Sequence, residues 1–172
     1  MRIKFMEKRK VSISKNYFLI ILILIGGYWM KNSFASDVQG KVNSVTRDEH
    51  GVRIKIEIGD EIILANIDDN PTSRDFIKLL PLTLKLDDFN HAEKISGALP
   101  NSLSVSGAPT SYAGEISDIA YYAPWGNVAI FYQPGPNARG LVKMGRIISG
   151  TDLLTKHSSL NVKISCEQSC QW

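Results

Sequence analysis

A chain of 172 residues, 44% of them apolar, is long enough to bury one domain-sized core and does not call for a second domain. Its net charge of +3 is misleading, because seven of the 20 basic residues but one of the 17 acidic ones precede Ser36, leaving 13 basic against 16 acidic residues beyond it. That −3 remainder gives no electrostatic reason to expect a nucleic-acid partner.

Residues 1–35 carry the pattern of a secretory signal. Arg2, Lys4, Lys8, Arg9, Lys10 and Lys15 precede the apolar run Tyr17 to Met30, and Ser33, Phe34 and Ala35 then supply small residues at the positions a signal peptidase reads. The run is 14 residues long, against roughly 20 needed for a membrane-spanning helix. Cleavage after Ala35 and export to a periplasm or the exterior are therefore expected; the alternative is an uncleaved membrane anchor through residues 17–30. A core helix is disfavoured, since Phe, Leu and Ile continue around every face with no polar stripe. No cysteine follows the run to take a lipid anchor. Residues 36–50 read as a short extension, 51–165 as the globular domain and 166–172 as a tail.

Val52, Ile54, Ile56 and Ile58 alternate with Arg53, Lys55 and Glu57, a period of two that predicts a strand with one face in a core. Gly59 and Asp60 turn it into a second strand, Glu61 to Ile67. Asp69 or Asn70 can cap a helix of about ten residues, with Pro71 at its first position, Phe76, Ile77 and Leu80 as its apolar stripe, and Pro81 as its stop. An extended run Leu82 to Leu86 follows. Asp87 to Ser117 is rich in Gly, Pro, Ser and Asn and reads as long loops with short strands at Lys94 to Ile95 and Leu103 to Val105; such loops are either binding rims or solvated excursions.

Regular patterning resumes with strands Asp118 to Tyr122 and Asn127 to Tyr132, separated by a turn through Ala123, Pro124, Trp125 and Gly126. Gln133 to Gly140 is a loop, Leu141 to Ile148 a strand, Thr151 to His157 a helical turn and Leu160 to Ile164 the last strand. Many short strands, frequent turns and little helix favour a closed β-barrel over a doubly wound sheet.

Cys166 and Cys170, the two cysteines of the chain, lie beyond that last strand. In an oxidising compartment a disulfide between them would staple the tail, contributing about 2 kcal/mol or less. Two free thiols remain an alternative. A redox pair usually has two intervening residues instead of three, and His50, His91 and His157 show no ligand spacing around the cysteines, so redox or metal chemistry is the weakest reading.

Several stretches resemble the bacterial cyclophilin-like domain family. They are Asp69-Asn70-Pro71-Thr72-Ser73-Arg74-Asp75-Phe76, Leu79-Leu80-Pro81-Leu82-Thr83-Leu84, Glu93-Lys94-Ile95, the run from Gly114 through Tyr121-Tyr122-Ala123-Pro124-Trp125-Gly126-Asn127, and Gly140 to Ile147. The resemblance spans Val52 to Ile164. It implies a mainly β protein, a closed eight-stranded cyclophilin-like barrel with one plugging helix and a short second helical turn, in a family whose biochemical role is largely undefined. It does not carry prolyl isomerase residues with it. Cyclophilins that isomerise prolines use an arginine in a Phe-x-Arg segment with Phe, Gln and a Gly pair soon after; here Arg74 precedes Phe76 on the predicted helix, and Arg139 and Arg146 lack the neighbouring pattern.

The candidate ligand-binding residues are the aromatic group Tyr121, Tyr122, Trp125 and Tyr132. One of the two adjacent tyrosines must enter the core while the other faces out, and Trp125 in its Pro-Gly turn belongs at a barrel rim, where it either stacks on a ligand or simply caps the opening. Lys94, beside Glu93, and Arg139 offer basic groups for a carboxylate or phosphate, although each reads better as a surface residue in a weak ion pair; Arg139 is expected at the end opposite Trp125. Asp68 and Asp69 suit a polar strand end and a helix cap better than an acid–base pair. No catalytic residue, metal site or cofactor is expected, and there is no Gly-x-Ser-x-Gly. The sequence therefore favours a non-catalytic module that takes a small molecule or a peptide, with a weak peptidyl-prolyl isomerase as the alternative, no nucleic-acid partner, and membrane contact only if the leader stays uncleaved.

Overall fold

A computed structural model describes residues 51–172; the expected signal segment over 1–35 and the extension over 36–50 lie outside the described residues. Ten strands follow in chain order: β1 Val52–Ile58, β2 Glu61–Ile67, β3 Leu82–Phe89, β4 Glu93–Ala98, β5 Ser111–Ala113, β6 Asp118–Tyr122, β7 Asn127–Phe131, β8 Asn137–Arg139, β9 Leu141–Ser149 and β10 Ser159–Cys166. Eight of them close into a barrel in the order β1-β10-β3-β4-β7-β6-β9-β2, every neighbouring pair antiparallel, while β5 and β8 form a separate two-stranded ribbon. Closure leaves the barrel with no unpaired edge.

Alternation explains the interior. Val52, Ile54 and Ile56 of β1 meet Ile67, Ala65 and Ile63 of β2 across the hairpin, and all six are buried. Val162 and Ile164 of β10, Leu86 of β3, Ile130 of β7 and Met144 of β9 complete the same inner core. The helix α1, Pro71–Lys78, is shorter than the sequence predicts. Asn70 is its cap, accepting from the Ser73 N–H at 2.9 Å, and Phe76 and Ile77 enter the inner core. A 3-10 turn at Thr151–Thr155 adds Leu153 and Leu154.

Three sequence expectations are corrected. Leu103 to Val105 is not a strand: Leu103 is a buried loop residue whose N–H donates to the Tyr121 hydroxyl. Strand β3 continues to Phe89, because its pairing with β10 and β4 satisfies Asp87 and Asp88 in polar surroundings that the composition alone did not mark as strand. Cys166 is the last residue of β10 and not part of the tail; paired with Ile54 of β1, it is joined to Cys170 by a disulfide.

Candidate functional site

Strands β6 and β7 are apolar on both faces. Asp118 to Tyr121 and all of β7 are buried, so the outer face of this quadrant is covered as well as the inner one. The cover is the β5–β8 ribbon, and Ala120, Ala129, Phe131 and Leu141 form a second, outer core beneath it, with Ile95, Tyr112, Tyr122 and Ala138 packed around them.

The ribbon is tied down at one side by Asp118, which is 0% exposed. Its carboxylate accepts from the Tyr112 hydroxyl at 2.5 Å and the Glu115 N–H at 3.0 Å, and it pairs with Lys143 at 2.9 Å and Arg146 at 3.0 Å. Burial alone would push this carboxyl up, but the hydrogen bonds from Tyr112, Lys143, Glu115 and Arg146 outweigh it and hold it below the ordinary value. Tyr112 is pushed well above the usual phenol range by burial and by the same carboxylate.

On the other side the ribbon stops short and leaves a cavity of about 270 Å³ on the barrel's outer face. Ile95, Ala129 and Phe131 floor it, while Phe89, Tyr122 and Trp125 wall it. Trp125 is held edge-on by two rings, Phe89 at 5.6 Å and Tyr122 at 5.3 Å, yet remains 53% exposed. Its turn is fixed by the Gly126 N–H donating to the Tyr122 carbonyl at 2.8 Å, with Gly126 at φ +65, a conformation that suits glycine. The Phe131 ring lies so close to Gly114 and Gly135 that a Cβ at either would sit 2.5 Å from it. These two glycines set the depth of the floor.

Glu93 and Asn127 border this largely apolar cavity, together with Asn90 and Tyr122. Glu93 faces outward on β4, and among the described residues no side chain hydrogen-bonds or pairs with its carboxylate; burial raises it to about 6. Asn127, 2% exposed, spends its amide NH2 on the Ser96 carbonyl at 3.2 Å, bridging the irregularity in β4 between Ile95 and Ala98, and its Oδ1 is buried with no partner. Nearly every buried polar atom in a folded protein is satisfied, so the Asn127 Oδ1 is an exception, whereas the half-buried Glu93 carboxylate keeps access to solvent.

The sequence candidates divide accordingly. Tyr122 and Trp125 line the cavity together. Tyr121 does not: the alternation of β6 turns it into the inner core, 1% exposed. Tyr132 packs against that inner core too, and its hydroxyl donates to Asp88, which is held below the ordinary carboxylate value chiefly by this bond. Lys94 is not a surface residue in a weak pair. It is 1% exposed on the inner side of β4, its ammonium donating to the carbonyls of His157 at 2.7 Å and Ser158 at 3.2 Å, 3.5 Å from Asp88. Arg139 is exposed on β8 and does not line the cavity, but it lies at the same end as the Trp125 turn, since the Ala123 N–H donates to the Gly140 carbonyl and Tyr122 pairs with Leu141. Glu93, Asn127 and Phe131 were missed as site residues. The signal that could have found them is the unbroken apolar run of β7, which implies a covered outer face.

A second cavity, of about 220 Å³, lies at the start of α1. Most of its polar lining is already committed: Asn70 to Ser73 and the Lys143 carbonyl, Thr72 to the Ser104 carbonyl, Tyr112 and Lys143 to Asp118. Among the described residues no group of three or more His, Cys, Asp or Glu could hold a metal ion, and no helix is long and apolar enough to cross a membrane.

A closed antiparallel eight-stranded barrel with one helix set into its core defines the class of fold. The Cyclophilin-like family matches residues 56–165, and the chain belongs to it. The hypothetical protein AF2241 from Archaeoglobus fulgidus, known from a solution structure, is similar in fold, with a TM-score of 0.50 at 17% identity over 67% of this chain and 94% of that one. No curated protein matches the chain.

Proposed function

We propose that this protein is a non-catalytic binding module that takes a small organic molecule in the cavity between Trp125 and Phe131. The observation that carries the reading is the coincidence of an apolar, aromatic-walled cavity with a half-buried carboxylate, Glu93, that no side chain of the described residues pairs. A pocket of this kind is the default binding site of a globular domain. Its volume of about 270 Å³ falls at the lower edge of the ~300–1,000 Å³ usual for ligand sites, which favours a compact molecule over an extended peptide. No arginine lines it, which leaves a prolyl isomerase of the usual kind without its guanidinium.

The test is a fluorescence titration of the full chain against metabolite and short-peptide libraries, with Trp125→Phe as control because Trp29 and Trp172 also emit. A ligand that shifts the wild-type signal and leaves the variant silent is expected. Ligands that bind without moving Trp125, or none across both libraries, would overturn the reading. Export supports the same picture through the leader pattern and the Cys166–Cys170 disulfide; amino-terminal sequencing of the protein recovered outside the cytoplasm should begin at Ser36.

A further inference from the structure

The cavity carries its own statement of ligand chemistry. The one charged side chain on its lining is an acceptor, the half-buried Glu93 carboxylate, which no side chain of the described residues pairs. Glu93 pairs with Phe131 across β4 and β7, whereas Asn127 lies four residues earlier on β7, roughly 13 Å away along the strand at about 3.3 Å per residue. Between them the floor is Ile95, Ala129 and Phe131, with no donor on it. The aromatic walls offer ring faces, which attract cations and repel anions.

Resting on the binding reading above, we infer that the ligand is a small organic ammonium compound, with a protonated amine at Glu93 and an apolar, preferably aromatic body along Ile95, Ala129 and Phe131. An anion is excluded by the unpaired carboxylate. A neutral apolar molecule would strip water from the Glu93 carboxylate without supplying a donor, which costs binding energy.

The surroundings of Glu93 support an ion pair with ligand over one within the protein. Its neighbours across the sheet are Phe89 on β3 and Phe131 on β7. Lys94 points inward to carbonyls, and His91, two residues before Glu93, pairs with Asp88. The titratable group coupled to Glu93 is the Tyr132 hydroxyl, itself pushed up to about 12 and uncharged at neutral pH. A carboxyl raised to about 6 is ionised at pH 8 and largely protonated at pH 5, so amine binding should strengthen as pH rises between them.

Three probes of one shape decide the matter on the full chain: 2-phenylethylammonium, neutral 2-phenylethanol and anionic 3-phenylpropionate, titrated by NMR with the indole signal of Trp125 as reporter. The expected result is a dissociation constant about tenfold lower for the ammonium than for the alcohol at pH 8, and weaker binding still for the carboxylate. The preference should fall to within about twofold at pH 5 or in Glu93→Gln, and survive in Glu93→Asp. Equal binding of ammonium and alcohol, or a preference for the carboxylate, would overturn the amine inference while leaving the cavity as a binding site. Silence of all three at the Trp125 signal would count against the cavity itself and take the inference with it.

Discussion

Two carboxylates share the outer face of the barrel, one beneath the ribbon and one in the cavity beside it, and they have opposite fates. Asp118 is surrounded by Tyr112, Lys143, Arg146 and the Glu115 N–H, and sits below its ordinary value. Glu93 has burial and nothing to offset it, and is raised to about 6. The first is a fastener, because its lone pairs are taken up by donors from the ribbon, from the turn before β6 and from β9. The second is an open demand. A fold that had only to be stable would have given Glu93 a partner or replaced it with an apolar residue, and the same outer face shows at Asp118 how the partner is supplied.

The comparison predicts opposite responses. Asp118→Asn should cost the most, about 3 kcal/mol, since it breaks a buried charge network and frees the ribbon; the half-exposed positions of Lys143 and Arg146, which can turn to water, keep it at the low end for such a break. Because the folded Asp118 carboxyl is depressed, its contribution is present above the ordinary value near 3.8 and lost as pH falls. Urea unfolding at pH 7 and pH 3 should show a large gap between wild type and variant that narrows on acidification; a constant gap would mean the carboxylate charge is not what holds the ribbon.

Gly135→Ala should cost about 1 kcal/mol, by pushing the Phe131 ring off its seat. The displaced ring moves into the cavity, so thermal unfolding should fall slightly while affinity for 2-phenylethylammonium falls several-fold. Reduced stability with affinity unchanged would separate the Phe131 floor from the binding site.

Glu93→Gln should have an effect no larger than that of Gly135→Ala, and of the opposite sign. The folded Glu93 carboxyl is raised, so its contribution is fully present below the unfolded value of 4.5 and lost as pH rises through about 6. The glutamine variant should therefore match wild type at pH 4 and exceed it by roughly 1 kcal/mol at pH 8, a figure reduced for partial exposure to solvent. Equal stability of the two at pH 8 would show that water already serves the carboxylate as well as any ligand could.

Much of the barrel was legible because its first hairpin obeys a strict period of two, and because Asn70, Pro71 and Pro81 punctuate a single helix. The site was legible only in part. Tyr122 and Trp125 could be placed from strand alternation and a Pro-Gly turn, but the same alternation applied to β4 had no anchor: nothing in Glu93-Lys94-Ile95 says which face is inside. Chemistry argues for the lysine outside, and closure of the barrel put it in, because the His157 and Ser158 carbonyls arrive from a segment more than sixty residues away. Arg139 was misplaced for a related reason, since the β6–β9 pairing that brings it to the Trp125 end is not a local hairpin.

The amino-acid sequence by itself determined the strand pattern, the capped helix, the family and the leader pattern, because each rests on local periodicity, turn residues or a contiguous run of side chains. Only the tertiary structure decided which of two neighbouring residues on β4 meets the cavity, that a ribbon covers one quadrant of the outer face, and that a fully buried carboxylate is satisfied while a half-buried one waits. Those outcomes depend on which distant segments supply donors, and desolvation and hydrogen bonding act through proximity in space.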